Sequence, residues 1–147
     1  DRERRKRDLH GMPFQIMKFR TMHDNTELYT VTPKEKNDHR ITRVGKVLRR
    51  LGLDELPQLL NVLKGDMSIV GPRPEMPFLV QEYSRRDVCR LLVRPGITGY
   101  WQIYAPRDLH IHEVIHHDLY YIKRRSLKLD WYIMLQTVAY MFSLKNK

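Results

Sequence analysis

Apolar and polar positions change period several times along the chain, and each change marks an element. In FQIMKFR, Phe14, Ile16 and Phe19 supply apolar anchors, and their spacing predicts a short strand on which Lys18 and Arg20 share a face. Residues 23–40 lack a period, are rich in turn formers and read as a surface loop. From Ile41 the spacing becomes helical. Ile41, Val44, Leu48 and Leu51 recur at helical intervals with Arg43, Lys46, Arg49 and Arg50 among them, and Gly52 is placed to end the helix. A second stripe, Leu56, Leu59, Leu60 and Leu63, runs to Gly65, with Asp54 as its expected N-cap and Glu55 and Pro57 in its first turn.

Pro72, Pro74 and Pro77 make residues 66–77 a rigid connector without regular helix. A mixed helical pattern resumes over 78–92, Pro95-Gly96 forces a turn, and ITGYWQI reads as a short strand. The last third reads as helix, HEVIHHDLYYIKRR running into SLKLDWYIMLQTVAYMF. Residues 127–142 form an amphipathic segment whose apolar run of about a dozen residues is too short to cross a bilayer. It either packs in the core or lies at an interface with Trp131 and its tyrosines at headgroup depth. The element order is α+β, mainly helical with a few short strands, in one domain over residues 1–147.

Composition narrows the partners. With 147 residues, 41% apolar and 30% charged, the chain can bury one modest core and is not of a disordered type. Its 27 Lys and Arg against 17 Asp and Glu give a net charge of +10, which favours phosphates, nucleic acid or an anionic membrane surface. Residues 1–10, DRERRKRDLH, concentrate that charge; they either lie on headgroups, at about 1 kcal/mol per basic residue, or are simply solvated. A single cysteine, Cys89, excludes an intrachain disulfide framework. No stretch reaches the roughly 18 apolar residues of a spanning helix, and no signal-peptide core is present. Because the chain begins at Asp1, a longer parent protein is expected.

Three patterns could carry chemistry. Asp54 and Glu55, adjacent at a helix start, point about 100° apart, so they can divide labour, one facing a substrate and one a cation. The free N–H groups of a helix start would favour both an ionised carboxylate and a phosphate; the pair is equally compatible with ordinary helix capping. Arg73, between Pro72 and Pro74, offers a planar fork matched to phosphate oxygens on a stiff backbone, or marks a mere turn. His112-Glu113-Val114-Ile115-His116 matches the zinc-protease pattern HExxH, but a third ligand is not evident and four of the seven histidines crowd residues 110–117. Interleaved basic and aromatic residues resemble a nucleic-acid surface only superficially, since no recognised binding motif accompanies them; no nucleic-acid partner is expected.

The segment LDELPQLLNVLKGDMSIVGPRP resembles the core of the bacterial sugar transferases acting on polyprenyl phosphate, the monotopic phosphoglycosyl transferases of exopolysaccharide, O-antigen and glycan assembly. FQIMKFRTM, RITRVGKVLRRLGLDELPQ, RPGITGYWQI and DLYYIKRRSLKLDWYIMLQTV are similar to further family blocks, in family order, over about residues 11–138. The resemblance implies transfer of a sugar 1-phosphate from a nucleoside diphosphate sugar, usually a UDP-sugar, to polyprenyl phosphate. It implies Asp54 as nucleophile and Glu55 as ligand of Mg²⁺. Lys18, Arg49, Arg73 and Asp118 are implied as substrate-binding, Asp118 through the metal or the polar network. It further implies an N-terminal membrane helix ahead of this chain, an anionic phospholipid surface as partner, and a place on the cytoplasmic face of the bacterial inner membrane. Tyr104-Ala105-Pro106-Arg107 departs from the family's Asn-Gly-Arg turn, which leaves the sugar open. A catalytically inactive assembly module is the alternative, and retention of Asp54, Glu55 and Arg73 argues against it.

Overall fold

The computed structural model describes residues 11–26, 38–104 and 111–143, with the side chains of 111–114 and 142–143 left aside. Helix α1, Arg43–Leu51, starts at Thr42, whose Oγ1 accepts a 2.8 Å hydrogen bond from the Gly45 amide. It stops at Gly52, whose φ of 66° lies in the left-handed region that glycine enters without a Cβ penalty. A 3-10 turn, Leu53–Glu55, follows, then helix α2, Gln58–Lys64. Strand β1, Ser68–Val70, pairs in parallel with β2, Gly96–Thr98, Ser68 opposite Gly96 and Val70 opposite Thr98. Parallel pairing requires a crossover; here it contains the short helix α3, Pro77–Val80, and a 3-10 segment, Asp87–Leu92. Helices α4, Tyr100–Tyr104, α5, Ile111–Arg124, and α6, Leu127–Ser143, complete an α+β fold.

The core forms where α5 and α6 cover β1. Val70, Tyr121 and Ile133 are buried together, with Tyr100, Ile103, Ile122, Leu129 and Met134 packed around them. The Tyr121 hydroxyl reaches Asp130 Oδ1 at 2.8 Å and the Val70 carbonyl at 3.3 Å, so a polar group inside the core is satisfied and joins three elements. Thr98 and Thr137 hydroxyls, 2.6 Å apart, fix α6 against β2. A Cβ on Gly96 would fall 2.1 Å from the Gly71 amide nitrogen, so the two chains meet too closely there for any side chain.

Several expectations need correction. Residues 14–19 form no strand; Ile16 and Phe19 are exposed, and among the described residues the pairing nearby is the isolated antiparallel bridge Met22–Ile41. The segment is held instead by backbone groups satisfied from elsewhere. Met17 donates to Asn61 Oδ1 at 3.0 Å, Asn61 Nδ2 donates to the Gln15 carbonyl at 2.8 Å, and Phe19 donates to the Asp54 carbonyl at 3.0 Å.

Asp54 is not an N-cap either. Helix α2 begins at Gln58, the N-cap position belongs to Pro57 in helical backbone geometry, and no side chain caps it. The leucine stripe is turned outward. Gln58 and Asn61 are the buried residues of α2, while Leu56, Leu59, Leu60 and Leu63 are exposed, Leu63 at 83%. Strand β1 lies inside the proline-rich connector, too short to declare a period, and ITGYWQI divides into a strand and the helix α4. Helix α6 packs in the core through Ile133, which is fully buried, while Leu127, Trp131, Leu135 and Val138 stand exposed. Among the described residues no helix is long and apolar enough to cross a membrane. Residues 1–10, the loop over 27–37 and the departing turn at 105–107 lie outside the described residues.

Candidate active site

Asp54 and Glu55 sit half-buried on the 3-10 turn between α1 and α2. The 17–21 segment runs beside them and delivers a cation: Lys18 Nζ lies 2.6 Å from Glu55 Oε1. Arg49, in the last turn of α1, donates from Nε to the buried Thr21 hydroxyl at 2.8 Å, which fixes the guanidinium near the pair. Burial raises the pKa of Asp54 above that of an ordinary aspartate, and the charge of Glu55 adds to it; Lys18 and Arg49 pull the other way. The direction is opposite to that expected at a helix N-terminus, because α2 begins four residues later. A carboxylate short of solvation is the more basic one, and in a nucleophile that basicity is useful.

A second cluster surrounds Arg73. Its guanidinium, exposed, lies 5.0 Å from the centroid of the Trp101 ring, and its carbonyl accepts a 3.1 Å hydrogen bond from Arg90 Nη2. Arg90 is itself buried, with Nη1 donating to the Tyr83 hydroxyl at 2.7 Å. Two carboxylates face it, Asp118 Oδ2 at 2.8 Å from Nε and Glu75 Oε2 at 3.6 Å from Nη1. Glu75 Oε2 has no hydrogen-bond partner among the described residues, so its contact with Arg90 is Coulombic, whereas Asp118 lies at hydrogen-bonding distance from Arg90.

Burial pushes Asp118 up to about 6, with Glu75 acting in the same direction and Arg90 and His116 opposing. A carboxyl taken out of water beside a second acid resists ionisation, and the Arg90 guanidinium offsets this only in part at Asp118.

The sign of this shift sets a pH dependence. A folded-state pKa above the unfolded value contributes stability fully present below about pH 4 and lost as pH rises through about 6. Relative to Asp118→Asn, which cannot titrate, the wild type should therefore lose on the order of 2–3 kcal/mol between pH 4 and pH 7. Urea denaturation of both proteins across that range measures it; parallel curves would contradict the shift.

The structure thus gathers Asp54, Glu55, Lys18 and Arg49 in one place, and Arg73 and Asp118 in the second cluster, with Asp118 only 2% exposed. Thr21, Asn61, Arg90 and Trp101 were not singled out as site-building residues by sequence reasoning. Arg90 did leave a trace, as a lone cation within the apolar run VCRLLV, which a buried position can tolerate only with partners. Among the described residues no three metal-ligating side chains cluster. The His112 and Glu113 side chains of the HExxH pattern lie outside them; His116 is exposed, its ring centroid 3.9 Å from that of His117. Two half-buried carboxylates without a third ligand suit a Mg²⁺ that keeps waters and is shared with phosphate oxygens, not a closed protein cage.

An acidic pair framed by a lysine and an arginine on the turn between α1 and α2, and a separate cluster that holds the Pro-Arg-Pro turn, are the two charged centres of this small α+β domain. The bacterial sugar transferase family model matches residues 2–144, and the chain belongs to that family. It is 47% identical over 131 residues to a UDP-N-acetylgalactosamine-undecaprenyl-phosphate N-acetylgalactosaminephosphotransferase of Aeromonas hydrophila, covering 85% of this chain and 31% of the relative. A UDP-glucose:undecaprenyl-phosphate glucose-1-phosphate transferase of Caulobacter vibrioides is 43% identical over 147 residues, 94% of this chain and 55% of the relative. An undecaprenyl-phosphate galactose phosphotransferase of Salmonella typhimurium is 40% identical over 143 residues, 87% of this chain and 30% of the relative. The chain spans between about a third and just over half of these three proteins.

Proposed function

We propose that this domain transfers a sugar 1-phosphate from a nucleoside diphosphate sugar, a UDP-sugar by likeness to the relatives above, to polyprenyl phosphate. The observation that carries the reading is the half-buried Asp54–Glu55 pair with Lys18 bound to Glu55 and Arg49 close by. An ionised Asp54 oxygen attacks the sugar-proximal phosphorus; the P–O bond to the nucleoside monophosphate breaks and that group leaves with the bond electrons. A phosphate oxygen of the lipid then attacks the same phosphorus, the bond to Asp54 breaks, and the carboxylate is restored. Both steps build negative charge at one phosphorus, which Lys18 and Arg49 oppose from fixed positions. Glu55 would hold Mg²⁺, which supplies further charge neutralisation on the diphosphate. Arg73 is assigned to the donor phosphates. Incubating the full-length protein with a panel of UDP-sugars, without lipid, should release UMP in an amount matching the enzyme and add one sugar phosphate to it. Absence of release across the panel would overturn the reading.

A place on the cytoplasmic face of the bacterial inner membrane belongs to the same proposal, with the anionic phospholipid surface as partner. Its support is the outward leucine face of α2, Leu59, Leu60 and Leu63, next to Lys64. Changing the three leucines together to serine should lower sedimentation with anionic phospholipid vesicles at least about tenfold while leaving thermal stability nearly unchanged. Undiminished binding would remove this face from the contact.

A further inference from the structure

We infer that Arg90 is a positioning residue for the reaction, holding Arg73 at the reach and direction from which it meets the donor phosphates. The inference rests on the assignment of Arg73 just proposed. The backbone is tied up to Pro72, whose carbonyl accepts from the Gly96 amide at 2.8 Å, but residues 71–76 form no helix or strand and no regular ladder holds Arg73 itself. Three further restraints act on Arg73. Pro72 and Pro74 narrow the backbone on both sides. Trp101 carries the guanidinium at 5.0 Å, and Arg90 grips the carbonyl at 3.1 Å.

Arg90 is an expensive way to hold a loop by packing alone. Its side chain is 3% exposed, and an apolar residue of similar volume would fill that space without desolvating a charge. What the guanidinium adds is direction. Nη2 and Nη1 donate to the Arg73 carbonyl and the Tyr83 hydroxyl, while Asp118, 2.8 Å from Nε, and Glu75, 3.6 Å from Nη1, compensate the charge. The ring of Tyr83 adds a face 5.7 Å from the guanidinium carbon. Asp118, from α5, and Glu75, from the loop itself, thus hold Arg90, and Arg90 holds Arg73. Asp118 acts in this scheme through Arg90 and not by touching substrate or metal.

The test is a double-mutant cycle on the full-length protein with UDP and Mg²⁺ as probe, read by calorimetry, together with the KM and kcat of UMP release. Arg90→Lys keeps the charge but cannot serve the carbonyl and the tyrosine with the same planar fork. It should weaken UDP binding about tenfold and raise donor KM more than it lowers kcat. In the Arg73→Ala background the same change should alter UDP affinity less than about twofold, because the group it positions is gone. Equal losses in both backgrounds would make Arg90 a packing residue and overturn the inference, as would unaltered affinity in Arg90→Lys. If Arg90→Lys does not fold, Tyr83→Phe removes one directed bond and should show the same non-additivity with Arg73→Ala; additivity there overturns it. Wild-type UDP affinity in Arg73→Ala alone would refute the assignment of Arg73, and the inference with it, while UMP release by the wild type would still stand.

Discussion

Asp54→Asn is expected to abolish the covalent sugar-phosphate adduct and to lower turnover at least about a thousandfold, since an amide keeps the shape of the carboxylate but not its nucleophilic charge. The fold should survive, because the structural bond at this position is the Phe19 amide to the Asp54 backbone carbonyl, 3.0 Å, which the substitution leaves in place. Intact mass after exposure to a UDP-sugar, with the rate of UMP release, measures both parts. Turnover at the wild-type level in Asp54→Asn would dismiss the nucleophile. The raised pKa of Asp54 adds a pH signature: release should fail on the acid side at a pH above the ordinary aspartate value of about 4, as protonation removes the attacking charge.

Asn61→Leu should destabilise the domain by about 2–4 kcal/mol, although it extends an apolar helix pattern and would look harmless on a helical wheel. Asn61 is 1% exposed, and its side chain accepts from Met17 N and donates to the Gln15 carbonyl. Leucine would leave both part-buried backbone groups without their partner. Leu63→Ser, on the outward face, should change stability by no more than about 0.5 kcal/mol. Chemical denaturation of the two variants separates the faces. A stable Asn61→Leu beside a destabilised Leu63→Ser would mean that α2 is rotated from the orientation described.

The strongest guidance from sequence came from blocks and punctuation. Gly52 and Gly65 ended their helices where expected, both in left-handed geometry, and the two long C-terminal helices followed their patterns. Where reasoning failed, the cause was a group whose partner lies far along the chain. Residues 14–19 read as a strand because Phe14, Ile16 and Phe19 look like anchors, yet Asn61 and Asp54 bind that backbone across more than thirty intervening positions. No local period records such a pairing.

What the amino-acid order determined by itself was the family, the α+β class, the glycine-terminated ends of α1 and α2, and the adjacency of Asp54 and Glu55. Each of these depends on residue types at short spacing, where backbone geometry and side-chain chemistry act locally. Only the tertiary structure decided which face of α2 is inside, that Lys18 meets Glu55, and that Arg90 reaches back to Arg73 while Asp118 pairs with it. A buried polar or charged group is tolerable only with its partner in place, and that partner is chosen by the path of the chain in space.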